Sequence, residues 1–275
     1  MTCVECGEPL AVPARGRRPR YCSRSCQAKA YRARVAAGAT VTRAAPADPE
    51  RSLTVAAIVQ AAIDVADAEG AGALSMRRIA AELGAGTMSL YRYVADKEEL
   101  LLHMVEEVIA RGSARTPELT GWRERMTAVA RNDWALYQRY PWVLPFVTSP
   151  RTVLLQNMSS EVEWALASFD GYDLTPVEKF QLVMTVTNYT SGVGLLMAND
   201  LEARRASGVE LADWWESTGR DISRDVVADA THPQLSALMA TQPGVADFGQ
   251  AFEFGLARVL DGIAVLIEGR RPLPA

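Results

Sequence analysis

The sequence has few of the side chains on which catalysis usually depends. Its 275 residues include only two histidines, His103 and His232, and four cysteines, all within the first 26 positions. An active site needs a positioned acid, base or nucleophile, and no glycine-rich phosphate loop follows a predicted strand. This shortage predicts that the chain is not an enzyme.

Long apolar runs are also missing from the chain. No stretch approaches the roughly 20 apolar residues that a membrane-spanning helix needs. The amino terminus lacks the apolar core of a signal peptide. We therefore expect a cytoplasmic protein without a membrane partner.

Alternating β-branched and aromatic residues are scarce, whereas alanine, leucine, glutamate and arginine dominate. This composition favours helices. With 49% hydrophobic residues the chain can bury a large core, and its length allows two or three domains. The expected fold class is all-α.

Basic residues are concentrated at one end of the chain. The net charge is −4, but residues 1–45 hold nine lysines and arginines against Glu5 and Glu8, which gives +7. The other 230 residues therefore carry −11. A basic head on an acidic body points to a nucleic-acid partner at one end only.

The four cysteines form two pairs, Cys3 with Cys6 and Cys22 with Cys26. In a reducing cytoplasm this pattern is more typical of a metal site than of disulfides. Four thiolates would complete the shell of a structural zinc ion. The order of the cysteines resembles short treble-clef zinc fingers, in which a knuckle and the start of a helix, here 23–37, supply the ligands. Disulfides or a redox switch are the alternatives.

We place this basic zinc finger at residues 1–37 and a linker at 38–51, which is rich in alanine, proline and threonine. The basic residues of the finger would match phosphates, which makes a second DNA contact the leading role. A solvated basic surface or a protein-docking module is the alternative. These residues are Arg15, Arg17, Arg18, Arg20, Arg24, Lys29, Arg32 and Arg34.

Residues 74–97 predict two short helices joined by a tight turn. Ser75 is a good N-cap, and apolar residues follow it at helical spacing. Gly84 and Gly86 permit the turn, and a second helix is expected over 87–93. Such a pair forms a helix-turn-helix, which lays its second helix in the DNA major groove. Thr54 is expected to cap a preceding helix and Asp96 a following one.

This segment resembles the DNA-binding domain of the tetracycline-repressor (TetR) family over about 54–109. One departure is Gly86, where that family commonly has a serine or threonine. The matching residues are Arg77, Ile79, Ala80, Leu83, Gly84, Ser89, Leu90, Tyr91, Tyr93, Lys97, Leu100 and Leu101.

We accordingly predict a DNA-binding domain over 52–112. Thr87, Met88 and Ser89 would lie at the start of the reading helix, near the base edges. Arg77 would reach a guanine or a phosphate. The resemblance implies phosphate contacts for Tyr91, Tyr93 and Lys97. Leu90 is expected in the core. The double-stranded operator should be roughly palindromic and bound by a homodimer. The predicted contacts are Arg77, Thr87, Met88, Ser89, Tyr91, Arg92, Tyr93 and Lys97.

Residues 120–270 resemble the ligand-sensing and dimerisation domain of the same family, mainly in layout. Helices are expected at 122–139, 151–169, 176 to about 206, 211–227 and 246–268. By the family's layout the helices that start at 176 and 246 form the dimer interface, where Gly192, Gly194, Gly255 and Gly262 would permit close approach.

A small-molecule effector is expected between these helices, in a largely apolar pocket. The tryptophans favour a flat aromatic effector, and Asn188 would bond either to it or across the dimer. The resemblance implies that the effector releases a repressor from its operator. The alternative is a metal- or redox-responsive regulator that senses through the cysteines. The pocket candidates are Trp134, Trp142, Phe146, Trp164, Met184, Asn188, Met197, Trp214 and Trp215.

Overall fold

The computed structural model describes residues 2–10, 20–36, 53–112, 118–149, 155–219, 221, 224, 231–241 and 247–270. The chain divides into two compact units, Met1–Arg51 and Ser52–Ala275. The described ranges contain helices and no β-strand, so the all-α prediction is confirmed. Arg15, Arg17, Arg18 and the predicted linker 38–51 lie outside them.

The first unit combines a tight knuckle with one helix. The backbone N–H of Cys3 donates to the carbonyl of Glu8 at 2.7 Å, and that of Gly7 donates back to Cys3 at 2.9 Å. Gly7 has φ of 78°, which a residue without Cβ adopts freely. Helix α1, Arg24–Ala36, follows, close to the predicted 23–37.

The second unit begins with four helices: α2 (Val55–Glu69), α3 (Met76–Glu82), α4 (Thr87–Leu90) and α5 (Lys97–Arg111). The predicted N-caps are confirmed. Thr54 accepts from Ala57 N, Ser75 from Arg78 N and Asp96 from Glu99 N. Each bond satisfies a backbone donor that the first helical turn leaves unpaired.

Seven further α-helices of the second unit have both ends in the described ranges, and Asp221 and Arg224 are also α-helical. Thr175 and Glu178 form a capping box at the start of the longest, and Gly208, with φ of 71°, ends it. None of the described helices combines the length and apolarity needed to cross a membrane. They are α6 (Trp122–Arg139), α7 (Leu144–Val147), α8 (Gln156–Leu166), α9 (Pro176–Ser207), α10 (Leu211–Trp214), α11 (Pro233–Thr241) and α12 (Phe248–Glu268).

Two predicted helices differ in the structure. The second helix of the helix-turn-helix ends at Leu90 rather than Tyr93, because the N–H of Tyr93 turns back to Leu90 O in a tighter turn. The helix predicted at 211–227 begins as an α-helix, Leu211–Trp214, continues as a π-helical turn, Trp215–Gly219, and is α-helical again at Asp221 and Arg224. A Cβ at Gly219 would lie 2.6 Å from the Trp215 ring, so only glycine fits there.

Buried side chains form two apolar clusters. The head cluster joins α2, α3 and α5 to Tyr137 near the end of α6 and to Trp142 and Leu144, which follow it. The body cluster joins α6, α9 and α12, with Trp134 and Phe252 near its centre. Met197 packs against both clusters, so the DNA-binding helices and the helical body share continuous packing.

Two of the four glycines expected at a dimer interface serve packing within the chain instead. A Cβ at Gly194 would lie 2.8 Å from the Tyr137 ring of α6, and one at Gly255 would lie 2.1 Å from Tyr189 Oη. A Cβ at Gly192 or Gly262 would meet nothing within 4 Å. The prediction is therefore wrong for Gly194 and Gly255, whose positions let α9 approach α6 and α12.

Candidate DNA interface, metal site and effector region

The helix-turn-helix is held by a short apolar core beneath its turn. Gly84 has φ of 62°, and the N–H of Ala85 donates to Ala80 O at 2.9 Å, which closes the turn after α3. Leu90 and Val94 are almost fully buried, as expected for Leu90. This packing fixes α4 relative to α3, so that the outer side of α4 faces solvent.

Seven of the eight predicted DNA contacts reach the surface. Arg77, Met88, Tyr91 and Arg92 are exposed, Met88 by 77%. Thr87, Tyr93 and Lys97 are partly exposed. Ser89 differs, because it lies beside Leu90 on the inner side of the short helix and is only 7% exposed. In this structure its hydroxyl is not presented to a base edge.

Neighbouring arginines on α3 have different surroundings. Arg78 donates to Glu69 at 2.6 Å and to Glu82 at 2.8 Å, and these bonds raise the pKa of its guanidinium. Arg77 is exposed and has no ion pair in the described part of the chain. Of these two arginines, Arg77 is therefore the one available to a phosphate or a guanine edge.

Two carboxylates connect the DNA-binding helices to the body. Asp67 of α2 accepts from Trp142 Nε1 at 2.8 Å and from Arg139 at 2.7 Å. Glu106 of α5 accepts from the backbone N–H of Asn157 at 3.0 Å and of Met158 at 3.4 Å. These are first-turn N–H groups of α8, where the positive end of the helix dipole favours a carboxylate. A displacement of α8 would therefore also displace α5 through Glu106.

The four cysteine sulfur atoms converge in the first unit. All lie within 4.8 Å of one another, and Cys6 Sγ is 3.4 Å from Cys22 Sγ. Tetrahedral zinc with bonds of about 2.3 Å places sulfur atoms about 3.8 Å apart, so the set fits such an ion. Cys26 lies in the first turn of α1, where its N–H donates to Ser23 Oγ.

Backbone donors and neighbouring sulfurs set the acidity of these thiols. Although desolvation opposes it, N–H groups of Cys6, Cys22 and Glu5 lower the pKa of Cys3 to about 6. The sulfurs of Cys6, Cys26 and Cys3 raise the pKa of Cys22 to about 12. A divalent cation would offset the mutual repulsion of four thiolates.

The predicted effector residues do not converge on one cavity. Trp134 stacks on Phe252 with ring centroids 4.9 Å apart, inside the body cluster. Trp142 is buried and bonded to Asp67, and Phe146 packs on the same head cluster. Trp164 lies under the Arg125 guanidinium at 5.4 Å. Met184 and Met197 are partly buried in α9.

The remaining candidates lie at the surface. Asn188 is exposed on α9. Trp214 is 39% exposed and meets Trp215 edge to face at 5.1 Å. Neither tryptophan belongs to the two apolar clusters of the described residues. The candidates therefore lie in the body cluster, in the head cluster, beside Arg125 and at the surface. Only the candidates near α6, α8 and α9 lie between the body helices.

A cleft of about 660 Å³ lies where the DNA-binding helices meet the body. Its walls come from the end of α2, the segment around Trp142 and the last turns of α9, including Arg205. Arg205 donates to the backbone carbonyl of Asp67 at 3.1 Å. Sequence patterns gave no indication of this cleft, since its walls are distant in the chain.

Asp133, an acidic residue of the body, was also not predicted from the sequence as a site residue. It falls three residues after buried Ala130 and four before buried Tyr137, on the inward stripe of α6. Burial and then the nearby Glu161 raise its pKa to about 7. An acidic residue at an apolar position of a helical pattern is the signal that could have found it.

Two long helices present exposed faces with apolar residues. On α9, Asn188, Gly192 and Leu196 share one exposed stripe, and Leu196 is 61% exposed. On α12, Phe254 and Val265 are 69% and 75% exposed. Apolar patches of this kind commonly mark protein interfaces.

Comparison with known proteins gave consistent matches. The family model "Bacterial regulatory proteins, tetR family" matches residues 58–104, and "Tetracyclin repressor-like, C-terminal domain" matches 116–267. The HTH-type transcriptional repressor DrrR1 of Streptomyces coeruleorubidus is 39% identical over 225 residues, 81% of this chain and 82% of that protein. The HTH-type transcriptional repressor Rv1353c of Mycobacterium tuberculosis is 26% identical over 223 residues, 77% and 80% of the two chains.

Solved structures match as well. A possible TetR family transcriptional regulator from Streptomyces coelicolor superposes with a TM-score of 0.62 at 26% identity, over 77% of this chain and 99% of that one. ActR of S. coelicolor, in complex with actinorhodin, gives 0.56 at 23% identity over 78% and 96%, a likeness of fold. Both family models begin after the last cysteine.

Proposed function

The chain belongs to the tetR family of bacterial regulatory proteins and is a DNA-binding transcriptional repressor, and we propose that a small molecule controls it. In this proposal a homodimer holds a roughly palindromic operator. An apolar or aromatic effector then binds among the body helices and releases the DNA. The proposed organisation is a finger at 1–37, a linker at 38–51, a DNA-binding domain at 52–112 and an effector and dimerisation domain at 120–270.

The observation that carries DNA binding is the arrangement of α3, the glycine turn and α4. Leu90 and Val94 anchor α4 from below, while Arg77, Met88 and Tyr91 stand at the surface. Basic and hydroxyl groups position the helix on phosphates, and apolar side chains such as Met88 can contact thymine methyl groups.

Dimer formation is proposed through α9 and α12. Their exposed stripes include Leu196, Phe254 and Val265, which water would solvate poorly in a monomer. A single helix-turn-helix buries too little surface for a specific site, and a twofold pair reads two half-sites. Sedimentation velocity tests this proposal: Leu196→Glu should yield monomers, while Glu163→Gln on exposed α8 should remain dimeric.

Release is proposed to follow from a shift between two conformations of the dimer. The effector must bind the DNA-incompetent conformation more tightly, and only that difference in affinity moves the equilibrium. Glu106 links α8 to α5, and Asp67 links α2 to the end of α6. These links support a route by which a displaced α8 would reorient the DNA-binding helices.

Fluorescence anisotropy with DNA from upstream of the gene tests the central proposal. Full-length protein and a chain that begins at Pro49 are titrated across a salt series, with scrambled DNA as control. Specific binding by both is expected. If the finger also contacts phosphates, the shorter chain binds more weakly and with a flatter salt dependence. Absence of specific binding would contradict the assignment of α4 as reading helix.

For the cysteine cluster we propose one structural zinc ion held by Cys3, Cys6, Cys22 and Cys26. The converging sulfur atoms support this, and a closed shell of four thiolates stabilises a short segment that has little core of its own. Metal analysis by mass spectrometry should find one zinc per chain. Cys6→Ser should lose it, and Ser25→Ala should keep it. Operator binding that responds to peroxide would favour redox sensing instead.

A further inference from the structure

Asp133 has an unusual position for a charged side chain. It lies on the stripe of α6 that also holds Ala130 and Tyr137, both buried. One turn further, Tyr137 Oη is 3.1 Å from Ser191 Oγ of α9, which places this stripe against α9. Asp133 is partly exposed, so a small molecule in solution can reach this residue.

No cation of α6 compensates Asp133. Each of its four arginines is engaged elsewhere: Arg123 with Asp261, Arg125 with Leu119 O and Trp164, Arg131 with Glu253, and Arg139 with Asp67. Asp133 itself has no hydrogen bond or ion pair in the described part of the chain.

The neighbouring helices supply no cation either. Helix α8 contains no lysine or arginine. On α9, Lys179 pairs with Asp170, Arg204 with Asp200 and Glu210, and Arg205 with the carbonyl of Asp67. Among the described residues, the titratable groups that interact with Asp133 are Glu161 of α8 and Tyr137 of α6, and neither of them carries positive charge.

The neighbours of Asp133 along α6 are apolar. Ala130 and Trp134 belong to the body cluster, and Tyr137 belongs to the head cluster. Of the residues of α8, only Ala165 is buried. A partly exposed carboxylate without a partner, next to aromatic and apolar side chains, suits an apolar molecule that carries a positive charge.

We propose that the effector is an organic cation with an apolar body, and that the carboxylate of Asp133 holds its ammonium or guanidinium group between α6, α8 and α9. This inference rests on the proposed effector-responsive function and specifies the chemistry of the ligand. Glu161 adds negative potential from the opposite helix. The carboxylate thus selects for charge, and the apolar clusters accept the remainder of the molecule.

The physical basis is the cost of an unpaired carboxylate that is partly removed from water. Such a group is expensive to bury unless a cation or several donors meet it. A bound ammonium group supplies both charge and N–H donors, whereas a neutral analogue leaves the carboxylate unpaired. A site built around a buried polar group therefore rejects the neutral analogue strongly.

The test uses full-length protein and two fluorescent probes that differ in one charge. Dansylcadaverine has a protonated amine at the end of an apolar chain, and its N-acetyl derivative is neutral. Wild-type protein should bind the ammonium probe about tenfold or more tightly than the acetylated one. Asp133→Asn should abolish the preference and leave the acetylated probe unchanged. Asp133→Glu keeps the charge, and Glu163→Gln removes an exposed carboxylate of α8; both should retain the preference.

The outcomes separate this inference from the proposed function. Equal affinity for the two probes, no binding of either probe to wild type, or a preference that survives Asp133→Asn would each overturn the assignment of Asp133. Circular dichroism of each variant identifies unfolding, and Asp133→Glu then gives the comparison at constant charge. Operator binding is measured in parallel without probe, and its absence would instead overturn the proposed function.

Discussion

Trp142 Nε1 donates a 2.8 Å hydrogen bond to Asp67 Oδ1, across 75 positions of sequence. Arg139 donates to the other oxygen of the same carboxylate at 2.7 Å. The sequence suggested Trp142 as an effector contact, whereas the structure gives its indole a partner on α2. Trp142 therefore connects the DNA-binding helices to the body.

Trp142→Phe should destabilise the fold while it preserves an aromatic ring in the head cluster. A hydrogen bond to a charged group contributes about 2 kcal/mol to the free energy of unfolding. In the variant, Asp67 Oδ1 no longer receives the hydrogen bond from the indole N–H. Urea unfolding measures the change. Trp214→Phe, at a position 39% exposed, should change stability by less than about 0.5 kcal/mol. Equal effects of the two substitutions would contradict this role.

Arg77 and Arg78 should separate DNA affinity from stability. Arg77→Ala should weaken operator binding and, if the contact is a phosphate, lower the slope of log K against log salt by about 1. Arg78→Ala breaks ion pairs with Glu69 and Glu82, so its main effect should be a lower melting temperature. Fluorescence anisotropy measures the operator affinity of both variants, and thermal unfolding measures their melting temperatures. A loss of affinity confined to Arg78→Ala would reverse the assignment.

Gly194→Ala should destabilise the packing of α9 on α6. The new Cβ would lie 2.8 Å from the Tyr137 ring and 3.3 Å from Leu144, so one helix must shift. Overpacking of this kind costs about 1–3 kcal/mol, despite the better helix propensity of alanine. Gly72→Ala, with open space around its Cβ, is the control. Chemical denaturation that finds Gly194→Ala as stable as wild type would exclude the close contact.

The pH dependence of stability should reveal Asp133. Burial raises its pKa to about 7 in the folded state, against about 4 when unfolded. Between these values the folded state binds the proton more tightly, so this group's contribution to stability falls as pH rises from about 4 to 7. Asp133→Asn should therefore gain stability over wild type across that window, by about 4 kcal/mol at most.

Urea denaturation of wild type and Asp133→Asn at several values between pH 4 and 8 measures this difference. Glu163→Gln, an exposed carboxylate on α8, should follow the wild-type curve. A constant difference between Asp133→Asn and wild type across the range would show that the carboxyl group titrates normally.

The local features of this protein follow from the sequence. Thr54, Ser75 and Asp96 cap their helices as expected, because a cap joins a side chain to an N–H group only three residues away. The glycine turn at 84–86 depends on the same short range. The all-α class and the family resemblance follow from composition and from residues close together in the chain.

Tertiary structure decided which side chains lie in the core, which connect the DNA-binding helices to the body, and which lie at the surface. Ser89 turned inward, Trp142 bonded to α2, and Gly194 met a ring of α6. Helical periodicity identifies a face but not what covers it, since the covering residue can be distant in the chain, as Asp67 is from Trp142 by 75 positions. For the same reason only the fold revealed that Asp133 shares a stripe with buried Ala130 and Tyr137, while the four arginines of α6 bind elsewhere.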